Sequence, residues 1–223
     1  MQKFETPTPV SAVLDIPAGR VQLIAADRAD TTVEVLPLNP AKSRDAKAAE
    51  RIAVEFADGV VRITAPEAKN QLLGNSGSVE VTVQLPAGSR VEAATAAADL
   101  RGVGRLGDVV LDGAQGAVKI DQAASVRLTV SDGSVEIGRL DGPGEITVDR
   151  GDLTVAEAVR GTVTLATRQG SISVGAARGV SASLDAGTAY GRVSNSLRNA
   201  EGDDAPLAIH ATTDQGDITA RSL

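Results

Sequence analysis

The sequence predicts an all-β protein: a single-stranded parallel β-helix, or right-handed β-solenoid, with N-terminal capping strands and one short helix. Three observations predict this fold. A glycine followed by alternating aliphatic residues recurs through the second half of the chain, as in Gly133-Ser134-Val135-Glu136-Ile137. The main glycines recur at nearly regular spacing, which is typical of stacked-repeat proteins. Aromatic residues make up only 1% of the chain, as expected for a narrow interior filled by Val, Ile, Leu and Ala.

The glycine spacing sets the size of each predicted coil. The main glycines are separated by steps of 17, 18, 19, 21 and 25 residues and lie at Gly116, Gly133, Gly151, Gly170, Gly191 and Gly216. Intermediate glycines roughly halve these steps, so each coil would hold two short strands that each follow a bend. Alternation with period two buries one face of each strand. The predicted inward row is Leu111, Ile120, Leu128, Ile137, Val148, Val155, Leu165, Val174 and Leu184.

A β-sandwich of hairpins is the competing fold, because it also contains many short strands. The regular glycine spacing argues against a sandwich, as does the scarcity of Asn-Gly and Asp-Gly turns between paired strands. Asp112-Gly113 and Asp132-Gly133 keep this alternative open.

The N-terminal part predicts strands and the helix. Strands are expected over residues 10–16, 19–23 and 31–35, with Pro17-Ala18-Gly19 as the turn between the first two. Asn39-Pro40 predicts a helix start, with Asn as the N-cap and Pro at the first helical position. The helix would extend over about 40–51 and lie on the surface or over an end of the solenoid.

The remaining elements lead into the repeats. The expected elements are strands over 52–56 and 60–64 joined by a hairpin turn at Asp58-Gly59, a loop over 69–78, a strand over 79–85, a loop over 195–205 and a closing coil over 207–223. No linker separates two independent domains. Residues 1–90 would therefore supply the N-terminal strands, helix and cap, and residues 91–223 the solenoid, continuous as one elongated domain.

Composition and charge bound the function. The net charge of −7 disfavours nucleic acid and anionic membranes as partners, because both require a cationic face. The chain has no cysteine, so thiolate chemistry and disulfides are excluded. Its start contains no apolar run typical of a signal peptide, and no run reaches membrane-spanning length. The expected compartment is the cytoplasm, with the cell surface as the alternative.

The turns predict columns of stacked charges, because equivalent positions of neighbouring coils lie about 4.8 Å apart. Asp132 would lie beside Arg150, and Asp149 beside Arg168. Taken in sequence order, Ala189 would follow Arg168 in its column. The candidate surface for a ligand or partner is formed by Asp132, Asp149, Arg150, Asp152, Arg168 and Tyr190.

Two interpretations of these columns are open. They are either exposed ion pairs that avoid stacking like charges, or a cleft that binds a sugar chain, as in β-helical polysaccharide lyases. Tyr190 is expected to pack over a neighbouring coil, and His210, the only histidine, is expected to face outward. The sequence lacks the calcium-binding nonapeptide and the phosphate-binding glycine loop. No catalytic residue, metal or cofactor is therefore predicted.

Four motifs in order carry a family resemblance: Leu14-Asp15-Ile16-Pro17-Ala18-Gly19, Val79–Leu85 with Pro86-Ala87-Gly88-Ser89, Thr188-Ala189-Tyr190-Gly191-Arg192-Val193 and Thr213-Asp214-Gln215-Gly216-Asp217-Ile218. Together they resemble the bacterial β-strand-repeat family labelled "putative adhesin", a domain of unknown function common in actinobacteria. The resemblance covers nearly the whole chain. It implies a β-helical fold without established catalytic residues.

The predicted function is a non-catalytic structural or protein-interaction scaffold, which could self-associate through its ends because solenoid ends expose unpaired strand edges. The alternative is a carbohydrate-binding or carbohydrate-cleaving β-helix that uses Asp132, Asp149, Arg150 and Arg168. An adhesin displayed outside the cell is a third hypothesis.

Overall fold

The computed structural model describes residues 1–66 and 77–223, and within them the protein is all-β with one short α-helix. The strands are β1 (Gln2–Glu5), β2 (Ser11–Ala26), β3 (Asp30–Pro37), β4 (Ala53–Ala57), β5 (Val60–Thr64), β6 (Val79–Pro86), β7 (Arg90–Gln115), β8 (Val118–Asp132), β9 (Val135–Leu140), β10 (Gly144–Arg150), β11 (Leu153–Ala158), β12 (Gly161–Gln169), β13 (Ile172–Ala176), β14 (Ala182–Tyr190), β15 (Val193–Ser196), β16 (Leu207–Gln215) and β17 (Ile218–Ser222). The helix α1 spans Ser43–Arg51, and a 3-10 turn spans Gly202–Asp204.

Parallel stacking of short strands forms the centre of the molecule. Val118 pairs with Val135, and Leu153 pairs with Ile172, which are steps of 17 and 19 residues. These steps match the predicted coil length and fit a β-solenoid rather than a sandwich of hairpins. The predicted inward row is buried from Leu111 to Val174, whereas Leu184 is only half-buried.

A column of glycines allows the coils to stack closely. Gly133, Gly151, Gly170 and Gly216 have φ between 142° and 149°, in the region that disfavours side chains. A Cβ atom on Gly151 would lie 2.1 Å from the carbonyl oxygen of Gly133, and one on Gly170 would lie 2.1 Å from that of Gly151. No side chain fits this column without moving the backbone, which explains why the sequence repeats glycine there.

The order of the coils in space differs from their order in the sequence. Strands β12 and β13 pair with β16 and β17, and β16 and β17 pair on their other side with β14 and β15. We call β14 and β15 the outer coil, β16 and β17 the inserted coil, and β12 and β13 the supporting coil. The prediction that coils stack in sequence order is therefore wrong here, because every coil repeats the same pattern and periodicity alone cannot rank them.

At the other end of the stack, the spatial order of the strands also differs from their order in the sequence. Strand β2 pairs in parallel with β7 on one side and with β5 and β6 on the other. It continues through Pro17-Ala18-Gly19, so the predicted turn is a bend within one strand. At this bend, a Cβ atom on Gly19 would lie 1.8 Å from the carbonyl oxygen of Val79.

Antiparallel strands cover this N-terminal end. Strand β3 pairs antiparallel with β6 and with β1, and β4 pairs antiparallel with β5. The predicted hairpin at Asp58-Gly59 is confirmed, and both residues have the positive φ that a tight hairpin turn requires. Most of the predicted loop over 69–78 lies outside the described residues.

The helix begins at Ser43, later than the predicted start. Residues 39–42 form a turn in which the backbone amide of Lys42 donates to the carbonyl of Asn39. The Asn39 side chain accepts a hydrogen bond from the amide of Ala41 within this turn and does not cap the helix. The buried Asp45 joins the helix to its surroundings, because its carboxylate accepts hydrogen bonds from the amides of Asn39 and Ser78.

The opposite end of the stack is the outer coil, not the C-terminal residues as predicted. Within residues 1–66 and 77–223, its strands pair with the inserted coil on one side and with no strand on the other. Val193 occupies the position equivalent to Ile218, yet its exposed fraction is 44% whereas that of Ile218 is 0%. The C-terminal strand is instead enclosed between two coils.

Candidate functional site

An open depression of about 400 Å³ lies over the turns of four successive coils. It contains three of the six predicted surface residues, Asp149, Arg150 and Arg168, and its remaining lining is Ser131, Gln169, Asp214 and Gln215. The strands fix these positions, because Arg150 pairs with Gln169 and Gln169 pairs with Gln215. Asp132, Asp152 and Tyr190 lie outside the lining.

The depression contains an ion pair in which both carboxylate oxygens of Asp149 face the guanidinium of Arg168. The Nε and Nη2 atoms of Arg168 lie 3.1 Å and 2.9 Å from the two carboxylate oxygens of Asp149. Beside this pair, Nη2 of Arg150 lies 3.0 Å from Oδ2 of Asp132. Both predicted ion pairs are therefore present, and their exposure limits each to about 0–1 kcal/mol of stability.

The true strand order changes the neighbour of Arg168. Thr167 pairs with Thr213 and Gln169 with Gln215, which places Asp214 opposite Arg168. The predicted neighbour, Ala189, lies one coil further out. The charge sequence Asp149, Arg168, Asp214 alternates in sign, which is favourable for stacked charges. This alternation is the signal in the sequence that could have identified the inserted coil.

Asp152 was predicted to belong to a ligand or partner surface, but its carboxylate instead contacts the backbone of the next coil. Its Oδ1 atom accepts a hydrogen bond of 2.8 Å from the backbone amide of Ser171 on the next coil. Asp217 makes the equivalent contact with the amide of Arg192, and Asp99 with that of Ala117, each at 2.9 Å. These aspartates hold consecutive turns together, a role that the sequence analysis did not identify.

Tyr190 does not pack over a neighbouring coil as predicted. Its exposed fraction is 76%, because it lies on the outer coil, beyond which no further coil is present in the described residues. It pairs in register with Gln215 and is therefore one coil beyond the lining of the depression. An exposed aromatic ring thus flanks the depression on the side of the open end.

A second polar cluster, which the sequence analysis missed, lies at another turn. Arg139 donates hydrogen bonds to Asp141 at 2.8 Å and to Glu157 at 2.5 Å, and these raise the pKa of its guanidinium. Burial opposes ionisation of Asp141, but hydrogen bonds from Gln122 and Arg139 outweigh it and lower the pKa of this carboxyl. The cluster is satisfied internally, so it serves to join coils.

His210, the only histidine of the sequence, lies outside the lining of the depression. His210 faces outward as predicted, and its Nδ1 atom lies 3.5 Å from Oδ2 of Asp185 on the outer coil. No group of three metal-ligating side chains is brought together in the ranges 1–66 and 77–223. Within the same ranges, no helix combines the length and apolar character needed to span a membrane. The depression offers paired charges and side-chain amides, which can hydrogen-bond a polar ligand.

The class of protein is thus an all-β stack of parallel coils whose turns carry exposed charge pairs. The family model described as Toastrack DUF4097 matches residues 13–221, and the chain belongs to this family. As the resemblance implied, this is a domain of unknown function. No curated protein matches the sequence.

Several solved structures are similar over nearly their whole length. A "putative cell adhesion protein" from Clostridium sporogenes is 11% identical, with 100% of this chain and 98% of that chain covered and a TM-score of 0.41. A "putative adhesin" from Bacteroides fragilis is 11% identical, with 98% and 95% covered and a TM-score of 0.47. A "putative lipid binding protein" from Parabacteroides distasonis is 13% identical, with 99% and 92% covered and a TM-score of 0.34. All three TM-scores are below 0.5, so the family assignment rests on the match to Toastrack DUF4097.

Proposed function

We propose that the protein is a non-catalytic structural or protein-interaction scaffold that self-associates end to end through the outer coil. The observation that carries this proposal is the incomplete core at that end. Val193 and Leu184 occupy inward positions that are fully buried in the adjacent coil as Ile218 and Ile209. An added strand would cover both side chains and pair with the free edge of β14 and β15.

Charge favours a second copy as the partner at this end. The whole chain carries a net charge of −7, which opposes association of two copies over most of their surface. Strands β14 and β15 contain one charged residue, Asp185, and Arg192 in the turn between them offsets its charge. The outer coil is therefore a nearly neutral surface through which two acidic molecules can meet.

Light scattering across a concentration series tests this proposal. The wild-type mass should rise with concentration, and Val193→Lys should keep the protein monomeric because it places an inward-facing charge on the open edge. Ser194→Lys is the matched control, since Ser194 pairs with the exposed Thr219 and faces away from the core. A wild-type protein that stays monomeric at high concentration would rule out self-association.

A carbohydrate ligand at the depression is the second candidate function. The specific support is Tyr190, an exposed ring beside a polar lining of carboxylates, guanidinium groups and amides. Sugars are bound by such polar groups together with an aromatic face. Asp149→Ala and Tyr190→Ala should each abolish binding on a glycan array, whereas Asp112→Ala, outside the lining, should preserve it. Absence of binding by the wild-type protein would remove this candidate.

We also propose a handedness for the coils, a domain organisation and a cellular compartment. Right-handed coiling is supported by the strong preference of parallel β connections for that hand. We treat 1–90 and 91–223 as parts of one elongated domain, since β2 pairs with β7 along most of its length. A cytoplasmic location, ahead of the cell surface, stays a prediction that cell fractionation would test.

A further inference from the structure

The C-terminal residues form an insert between two coils that could otherwise stack on each other. Strands β16 and β17 end the chain, yet they pair with the supporting coil on one side and the outer coil on the other. The connection between the supporting and outer coils, residues 177–181, is longer than the two residues between β11 and β12. This extra length lets the chain pass over the position of the inserted coil.

The outer coil has the pattern needed to occupy the position of the inserted coil. Both pair through the same register: Gly161 and Ala182 each pair with Leu207. Removing the inserted coil would therefore bring Leu184 over Val163 and Val193 over Ile172, with every inward residue still facing inward. The gap could close without a shift of register.

The threonines of these coils make the same contact at each level. Thr167 donates to the carbonyl of Gly151 at 3.2 Å, and Thr213 donates to that of Gly170 at 3.0 Å. Thr188 of the outer coil donates in the same way to Gly216, also at 3.0 Å. In a closed arrangement, Thr188 would be placed to donate to Gly170, which is the contact that Thr213 makes now.

Burial decides which arrangement a single chain prefers. The inserted coil contributes fully buried inward residues, namely Leu207, Ile209, Ala211, Ile218 and Ala220. The outer coil would place Asn195 where Ala220 now lies, because these two residues pair. A closed chain therefore loses apolar burial unless its released C-terminal segment is buried elsewhere. The groove of a second copy restores every lost contact, because it is the same groove.

We propose that the segment Leu207–Leu223 is exchangeable, so that it can leave its own groove and insert into the equivalent groove of a second copy. The segment is joined to the outer coil by residues 197–206, which are mostly exposed and act as the hinge. The partner is a second copy of this chain, and the contact surface is the groove between the supporting and outer coils. This proposal goes beyond the end-to-end association proposed above, because the exchange uses the groove and not the unpaired edge of the outer coil.

Cross-linking of single-cysteine variants tests the exchange, because the natural chain has no cysteine. Asp185 and His210 are exposed neighbours on β14 and β16. In one chain, Asp185→Cys with His210→Cys should cross-link internally and so verify that the substitutions are tolerated. Asp185→Cys chains incubated with His210→Cys chains should then form a disulfide-linked dimer, since exchange places the two cysteines side by side in different molecules.

The matched control is a mixture of Ser183→Cys and His210→Cys chains, because Ser183 lies on the same strand but pairs with Ala208. This mixture should give no dimer above background. Equal dimer yields in the two mixtures, or no disulfide-linked dimer in either, would overturn the exchange. Concentration-dependent association that Val193→Lys abolishes would then still support the end-to-end scaffold. Strong exchange between chains that also carry Val193→Lys would support the exchange and show that it does not require pairing at the edge of the outer coil.

Discussion

The two ends of the stack differ in how their sheet edges are protected. At the N-terminal end, antiparallel strands and α1 cover the last parallel coil, and the outermost strand β1 is short and carries Lys3 and Glu5. Such short, charged edges disfavour further strand addition. At the other end, the outer coil has no covering strand in the described residues and exposes Val193 and Tyr190. In the described residues, one end of the stack is therefore covered by other elements, and the other end leaves its sheet edge exposed.

The outer coil is packed less tightly than the interior coils. Glycine substitutions should show this difference as the largest change in stability. Gly170→Ala would place a Cβ atom 2.1 Å from the carbonyl oxygen of Gly151 at a positive φ. We expect a loss of unfolding free energy above the roughly 1–3 kcal/mol typical of overpacking. Gly187→Ala on the outer coil meets nothing within 4 Å and should be nearly neutral. Chemical denaturation measures both, and similar losses would contradict the stacked glycine column.

Truncation of core leucines compares the same two regions. Leu165 is fully buried, so Leu165→Ala should cost about 2–5 kcal/mol through lost burial and a cavity. Leu184→Ala, at a half-buried position of the outer coil, should cost about 1 kcal/mol. Urea denaturation of the two variants measures the difference. Equal costs would mean that the outer coil is as well enclosed as the interior.

The sequence allowed the coil length, the inward rows and the close charge pairs to be predicted, because each follows from local periodicity. Leu165 and Val174 are buried as expected, and Arg150 and Arg168 contact the expected carboxylates. The order of the coils could not be predicted in this way. Any coil of the same period and register fits beside any other, so the choice depends on the total burial of the assembled chain. The depression was only partly predicted for the same reason, since the inserted coil places Asp214 opposite Arg168.

The covered end can be weakened through its helix. Asp45→Ala would remove the acceptor of two part-buried hydrogen bonds, from the amides of Asn39 and Ser78, at a cost of about 1–3 kcal/mol. Glu50→Ala, on an exposed position of the same helix, should have little effect. Thermal denaturation of both variants, with circular dichroism as the signal, would check this. A neutral Asp45→Ala would show that the helix contributes nothing to the cap.

The charge columns should contribute little to stability. Arg150→Ala removes an exposed ion pair with Asp132 and should cost less than about 1 kcal/mol. The measurement is the free energy of unfolding at low and moderate salt, because screening should reduce even this small effect. A loss comparable to that of Leu165→Ala would mean that the turn charges are part of the core.

The stability of the covered end should also depend weakly on pH in the acidic range. Arg28 and Lys3 hydrogen-bond to Asp30 and lower the pKa of its carboxyl from 3.8 to about 2. A lowered pKa in the folded state stabilises the fold above pH 3.8, and this contribution is lost as the pH falls toward about 2. Melting temperatures between pH 5 and pH 2 should therefore fall less steeply for Asp30→Asn than for the wild type. Parallel curves would exclude a contribution from Asp30.

Hydrogen exchange followed by mass spectrometry tests the order of the coils most directly. Strands β16 and β17 pair on both sides, whereas β14 and β15 pair on one. The C-terminal peptide 207–222 should therefore exchange more slowly than the peptide 182–196, although it lies closer to the chain end. Faster exchange of 207–222 would place the C-terminal strands at the edge and contradict the inserted coil.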